Sequence, residues 1–130
     1  MPTSHPRPDL AASAAVARMT EPELVTELRE LLGAKLVAYL GNVQSTRVVR
    51  EWADGTRSIA NEGDIERFRI AYRAARLITA RDEPQVAQTW FQGLNSILDD
   101  QPPARLLREG DVADVGPKVL SAARQFAGHA

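Results

Sequence analysis

Apolar residues recur along this chain at helical spacing, and no stretch of five or more residues alternates with period two. Leu24, Leu28, Leu31 and Leu32 stand at i, i+4, i+7 and i+8, while Glu23, Glu27 and Glu30 fall on another face. Thr20 precedes them with Glu23 three residues on, which is the spacing of a capping box. Pro22 sits in the first turn, where a missing N–H costs nothing. Gly33 ends this helix. A second short helix is predicted over 34–40, burying Leu36, Val37 and Leu40 and stopping at Gly41-Asn42. A third is predicted over 45–53, with Val48, Val49 and Trp52 inward, Ser45 or Thr46 as its cap and Asp54-Gly55 as its close. Asn61 caps a long helix over 62–80, whose stripe is Ile65, Phe68, Tyr72, Ala75 and Ile78.

The second half repeats the habit. Pro84 opens a helix with Val86, Ala87, Trp90, Phe91 and Leu94 on one side, interrupted by Gly93 and Asn95. The turn Asp99-Asp100-Gln101-Pro102 follows, and Pro103 begins a short helix through Arg108 that Gly110 ends. A last helix is predicted over 117–127, with Val119, Leu120, Ala123 and Phe126 facing in. The segment 112–115 is too short to count as a strand. The fold class is all-α.

Proline and charge divide the chain. Residues 1–19 hold Pro2, Pro6 and Pro8 and are expected to form a disordered arm, with helix permitted from Leu10. The apolar run 10–17 is broken by Ser13 and falls far short of the roughly 20 residues that a membrane helix needs. Neither a signal peptide nor a membrane anchor is expected, and a cytoplasmic location is. Pro84 disfavours helix at Glu83, so a break is expected near residue 82. Residues 1–81 carry 12 Lys/Arg and 10 Asp/Glu, a net of +2, and residues 82–130 carry 4 and 7, a net of −3. Two helical subdomains, 20–81 and 82–130, are the expected organisation.

Composition narrows the chemistry. With 130 residues, the chain is the size of one ordinary domain. The formal net charge of −1 argues against gripping nucleic acid by bulk charge, though not against a local basic face. The absence of Cys removes disulfides, thiolate catalysis and cysteine zinc sites. His5 and His129 lie near the two ends, where core metal or acid–base chemistry has no use for them. No catalytic residue, metal or cofactor is expected, and the enzyme reading rests only on the pair Asp99-Asp100 and isolated acids. Fourteen Arg stand against two Lys, an imbalance that high-GC coding explains as readily as guanidinium chemistry.

The three short helices around Gly41 invite comparison with a helix-turn-helix, which needs a support helix, a sharp turn and a reading helix with outward polar residues. The support helix is 35–40, the turn is Gly41-Asn42-Val43-Gln44 and the reading helix is 45–54. Arg47 and Arg50 emerge from one side of it, fit for phosphates or a guanine edge. Ser45 and Thr46 lie at its N-terminus, where backbone N–H groups favour phosphate, with Gln44 just before them. The alternative is a plain helical hairpin whose third helix is solvated, with Glu51 and Asp54 balancing the two arginines. Arg69, Arg73 and Arg76 form a second cationic stripe at i, i+4 and i+7. As a solvated face, its stems would cover apolar neighbours and Glu66 would neutralise Arg69.

The residues Gly41, Val49, Trp52 and Gly55 resemble the Xre, or lambda-repressor-like, helix-turn-helix family. Gly41 and Gly55 are 14 positions apart, two more than is usual in that family. The string Trp90-Phe91-x-x-Leu94-Asn95-x-x-Leu98, followed by Pro103-x-x-Leu106-Leu107-x-x-Gly110, resembles the C-terminal toxin-binding domain of Xre/MbcA/ParS-type antitoxins. The spacer 99–102 departs from the glycine-containing turn usual there. The joint resemblance implies a lambda-repressor-like helix-turn-helix bundle followed by a small helical toxin-binding domain. It further implies an antitoxin that covers the active site of a RES-domain, NAD-consuming toxin and represses its own operon as a homodimer. On that resemblance Gln44, Ser45, Thr46, Arg47 and Arg50 would meet operator DNA. Trp90, Asn95, Arg105, Arg108, Arg124, Gln125 and His129 would meet the toxin. The competing reading is a transcription regulator whose second half serves only for dimerisation.

Overall fold

The computed structural model describes residues 8–128, and its elements among them are eight α-helices and one 3-10 turn. They run α1 (Pro8–Ala17), α2 (Glu21–Leu32), α3 (Ala34–Leu40), α4 (Thr46–Asp54), α5 (Glu62–Thr79), α6 (Pro84–Gln92), the 3-10 turn Ser96–Leu98, α7 (Pro103–Glu109) and α8 (Val112–Phe126). The all-α reading holds for these residues.

The caps explain several boundaries. Thr20 and Glu23 form the capping box in both directions at the start of α2. Ser45 Oγ accepts from the Arg47 N–H at the start of α4, and Asn61 Oδ1 accepts from the Asp64 N–H at the start of α5. Gly55 closes α4 in the left-handed conformation.

α5 is the central element. It packs against α1, α2, α6 and α8, and more lightly against α3 and α7. Phe68, Ala71, Ala74, Ala75 and Ile78 of α5 are fully buried. The buried core is one continuous cluster from Val16 to Ala123, so the two halves share a single apolar interior.

Four expectations need correction. Residues 8–17 of the expected arm are α1, which buries Ala12 and Val16 in packing against α5. Residues 1–7 lie outside the described part. The last helix begins at Val112 rather than at Pro117, because Asp111 caps it by accepting from the Ala113 N–H. Pro117 therefore sits inside α8, on the exposed side, and Gly116 before it lets the helix come close to Ile70. Leu94 is exposed because α6 has already ended at Gln92. Phe126 is half exposed at the last turn of α8, although its spacing from Ala123 suggested burial.

Candidate functional site

The turn after α3 is built by close approach. A Cβ on Gly41 would lie 2.8 Å from Phe68 Cζ and 2.9 Å from the Trp52 ring, so only glycine fits. Trp52 in turn meets Phe68 edge-on, with centroids 5.6 Å apart. Gly41 itself has an ordinary φ of −87°, and the left-handed residue of the turn is Asn42, at φ 58°. The Val43 N–H donates to the Ala38 carbonyl at 3.0 Å, which folds the chain back onto α3.

α4 then leaves the turn with one face in the core and the other in water. Val49 and Trp52 are buried, and Val48 is half-buried. Gln44, Ser45, Thr46, Arg47 and Arg50 are all exposed and cluster at or near the start of the helix. Arg47 Nε stands 3.7 Å from Glu51 Oε2. Glu51 is held more closely by Arg57, whose Nε donates to Oε1 at 2.8 Å. Arg50 makes no ion pair among the described residues. The first N–H groups of α4 are partly used, since the Arg47 and Val48 N–H groups donate to Ser45 Oγ and the Ser45 carbonyl.

Of the seven residues proposed for a toxin, six lie among the described residues, on α6, the loop after it, α7 and α8. Trp90 is nearly buried, with its ring edge-on to Phe91 at 5.1 Å and tilted against Phe126 at 6.2 Å. Asn95 is a cap for the 3-10 turn: its Oδ1 accepts from the Ile97 N–H at 3.0 Å. Its carbonyl accepts from the Leu98 and Asp100 N–H groups, while Asp99 and Asp100 take left-handed conformations. Arg105 and Arg108 lie on α7. Arg105 pairs with Glu109 at 3.2 Å, and the Arg108 guanidinium lies 4.4 Å above the Tyr39 ring of α3. Arg124 is half-buried and Gln125 exposed near the end of α8. His129 lies outside the described residues.

Helical spacing alone did not say which apolar side chains of the second half stay exposed. Leu94, Ile97 and Phe126 are 79 %, 49 % and 50 % exposed. Phe126 and Trp90 line a shallow groove with Val86, Thr89, Gln85 and Glu83. A helix that ends two residues before Leu94 would have signalled part of this, because Gly93 breaks the stripe.

The second cationic stripe is mixed in character. Arg69 pairs with Glu66 at 3.3 Å, Arg73 is half-buried with its Nε enclosed and unbonded, and Arg76 is exposed. Beside it the buried Tyr72 hydroxyl donates to Glu27 Oε1 at 3.2 Å. Burial first, and then the Glu27 charge, push the Tyr72 phenol above its ordinary value, with Arg76 opposing.

Among the described residues no group of three or more His, Cys, Asp and Glu side chains is placed to hold a metal ion, and no helix is long and apolar enough to cross a membrane. No protein-family model, curated protein or solved structure matches the chain.

Proposed function

We propose that this protein is an antitoxin of the RES–Xre kind: a non-enzymatic, cytoplasmic regulator that binds operator DNA through α4 and neutralises a RES-domain toxin through its second half. The observation that carries the reading is the separation of two surfaces of different chemistry. The exposed start of α4 is polar and cationic, with Arg47 and Arg50 beside Gln44, Ser45 and Thr46. The second half instead leaves Leu94, Ile97 and Phe126 uncovered. Exposed apolar side chains mark a protein interface where they gather into a patch, as Phe126 does with Val86 and Trp90. A DNA contact by α4 fits its place after a tight turn, held by Trp52 against the core. A homodimer is expected for a two-fold operator.

The test is co-expression with the RES-domain protein encoded by a neighbouring reading frame. Rescue of growth and co-purification of the pair are the expected results. Absence of both rescue and complex overturns the antitoxin reading. The remaining alternative, a regulator whose second half only dimerises, then predicts a dimer that dissociates when Leu94 and Phe126 are made polar.

A further inference from the structure

A groove of about 650 Å³ runs between the junction of α2 and α3 on one side and α6 and α7 on the other. It is large for so small a protein, and it falls in the range of functional ligand sites. Its apolar lining is Leu32, Ala34, Leu36, Tyr39, Pro102 and Ala104, of which Ala34, Tyr39 and Pro102 are partly exposed. Its only charged lining side chains are Lys35 and Arg105. Lys35 is exposed and has no ion pair among the described residues. Arg105 has a carboxylate partner, Glu109, but both side chains are about 60 % exposed, so the pair is weak and easily exchanged. Arg108 adds a third cation beside the groove, stacked on the lining ring of Tyr39.

Two amides complete the wall. Gln88 Nε2 donates to the Leu31 carbonyl at 3.1 Å, and Gln92 Nε2 donates to the Gln88 carbonyl at 3.0 Å. Each amide is thus tethered through its nitrogen and keeps its oxygen as an unused acceptor. An occupant matched to this lining brings carboxylates for the cations, apolar side chains for the floor and N–H donors for the amide oxygens. A fatty acid has the first two and lacks the third. An extended peptide has all three.

We infer that this groove docks an extended acidic segment of a partner protein, with apolar residues interleaved among its Asp and Glu. This goes beyond the antitoxin reading, because it requires neither a toxin nor DNA, and Arg105 and Arg108 are the residues that the two share. Attraction between the cationic rim and the acidic segment also makes binding fall with added salt.

The test begins with a phage-displayed library of random peptides panned on the full chain. The most enriched peptide is then synthesised, and its affinity is measured by fluorescence anisotropy. Its site is mapped by amide chemical shifts, with decanoate as a parallel probe. The expected peptide combines Asp or Glu with apolar residues, and shifts the amides of residues 32–39, 88–92 and 104–105. The double variant Lys35→Glu/Arg105→Glu, with exposed positions and an unchanged helical spectrum, is expected to weaken it by about ten-fold or more. Glu109→Gln releases Arg105 and is expected to tighten it about two- to three-fold. Enriched peptides with no acidic bias, shifts elsewhere, or affinity indifferent to charge reversal overturn the inference. So does decanoate filling the groove where no peptide does, or self-association mapped to the same amides. A chain that binds the peptide but no RES-domain protein keeps the groove and loses the antitoxin reading; the opposite pair of results does the reverse.

Discussion

Arg67 on α5 donates from Nε to the Leu107 carbonyl of α7 at 2.7 Å. Its Nη1 reaches the Leu40 carbonyl at 3.5 Å and pairs with Asp64. Both carbonyls belong to the last turn of a short helix, where intrahelical partners run out. One planar guanidinium therefore ties the end of α3, just before the turn, to the second half. Its side chain is only 12 % exposed. Arg67→Ala is expected to cost about 2–4 kcal/mol, because it leaves two carbonyls and Asp64 short of a donor. Arg67→Lys should recover little, since an ammonium lacks the fork. Urea melts of the three proteins check this, and a loss below about 1 kcal/mol in the Ala variant would refute the tie.

Gly41→Ala makes a different demand. The new methyl meets Phe68 and Trp52 inside 3 Å, and both rings are fixed in the core. The expected cost is about 1–3 kcal/mol, from overpacking rather than from backbone strain. Asn42→Gly, at the left-handed position, should be close to neutral. Thermal melts that rank the two variants the other way would show that backbone conformation governs the turn.

The turn also illustrates what the sequence could and could not disclose. Helix starts were legible where a side chain caps them, as at Thr20, Ser45 and Asn61, because the capping chemistry is local. A glycine after α3 was equally plain, but its reason was not: Phe68 lies 27 positions away, and proximity of that kind leaves no mark on a local pattern. Pro117 misled for the same reason. It has the look of a first residue, yet Asp111 caps the helix one and a half turns earlier. Of the site residues, exposure of Arg47 and Arg50 followed from the period of α4. The seating of Trp90 between Phe91 and Phe126, and of Arg108 on Tyr39, did not, because it depends on how the helices pack. Residues 8–17 looked like part of an arm because Pro2, Pro6 and Pro8 crowd its start and only Leu10 and Val16 are large and apolar. Small side chains are nonetheless what lets α1 lie close against α5.

Tyr72 supplies a pH dependence. Its phenol is raised above the ordinary value near 10 by burial and by Glu27. A group raised on folding gives its full contribution below the unfolded value, and loses it as pH climbs through the folded one. Folding stability is therefore expected to fall above about pH 10, and to fall less steeply in Tyr72→Phe. Urea melts between neutral and strongly alkaline pH check the two slopes. Equal slopes would place the alkaline loss elsewhere.

If α4 reads DNA and the second half meets a toxin, variants of α4 separate the two proposed activities. Arg47→Ala with Arg50→Ala removes two exposed cations while leaving Val49 and Trp52 in place, so stability should change by less than about 1 kcal/mol. Operator binding should weaken, and its salt dependence should become shallower by about one unit of slope for each phosphate no longer neutralised. Growth rescue against the toxin should persist. Arg47 is expected to contribute less than Arg50, because Glu51 already attracts it. Unchanged binding by the double variant in a gel-shift series across salt would mean that α4 does not read DNA.

The exposed apolar side chains of the second half call for a variant that spares the core. Trp90→Ala is confounded, since a nearly buried ring removed from the side of Phe91 costs about 3–5 kcal/mol in itself. Removing everything from Arg124 onward is confounded too, because Ala127 is buried. Leu94→Ser with Phe126→Ser changes two side chains that are at least half in water, and it leaves Trp90 seated on Phe91. Its cost to stability should stay within about 1–2 kcal/mol, most of it from the packing of Phe126 on Trp90. If this face meets the toxin, neutralisation should drop at least about ten-fold, the change that about 1.4 kcal/mol of binding energy brings. Operator binding by the folded variant should be retained unless the same face holds the dimer together. Sedimentation of the variant distinguishes those cases: a monomer that has lost both activities assigns the face to dimerisation, and an unchanged oligomer that has lost only neutralisation assigns it to the toxin.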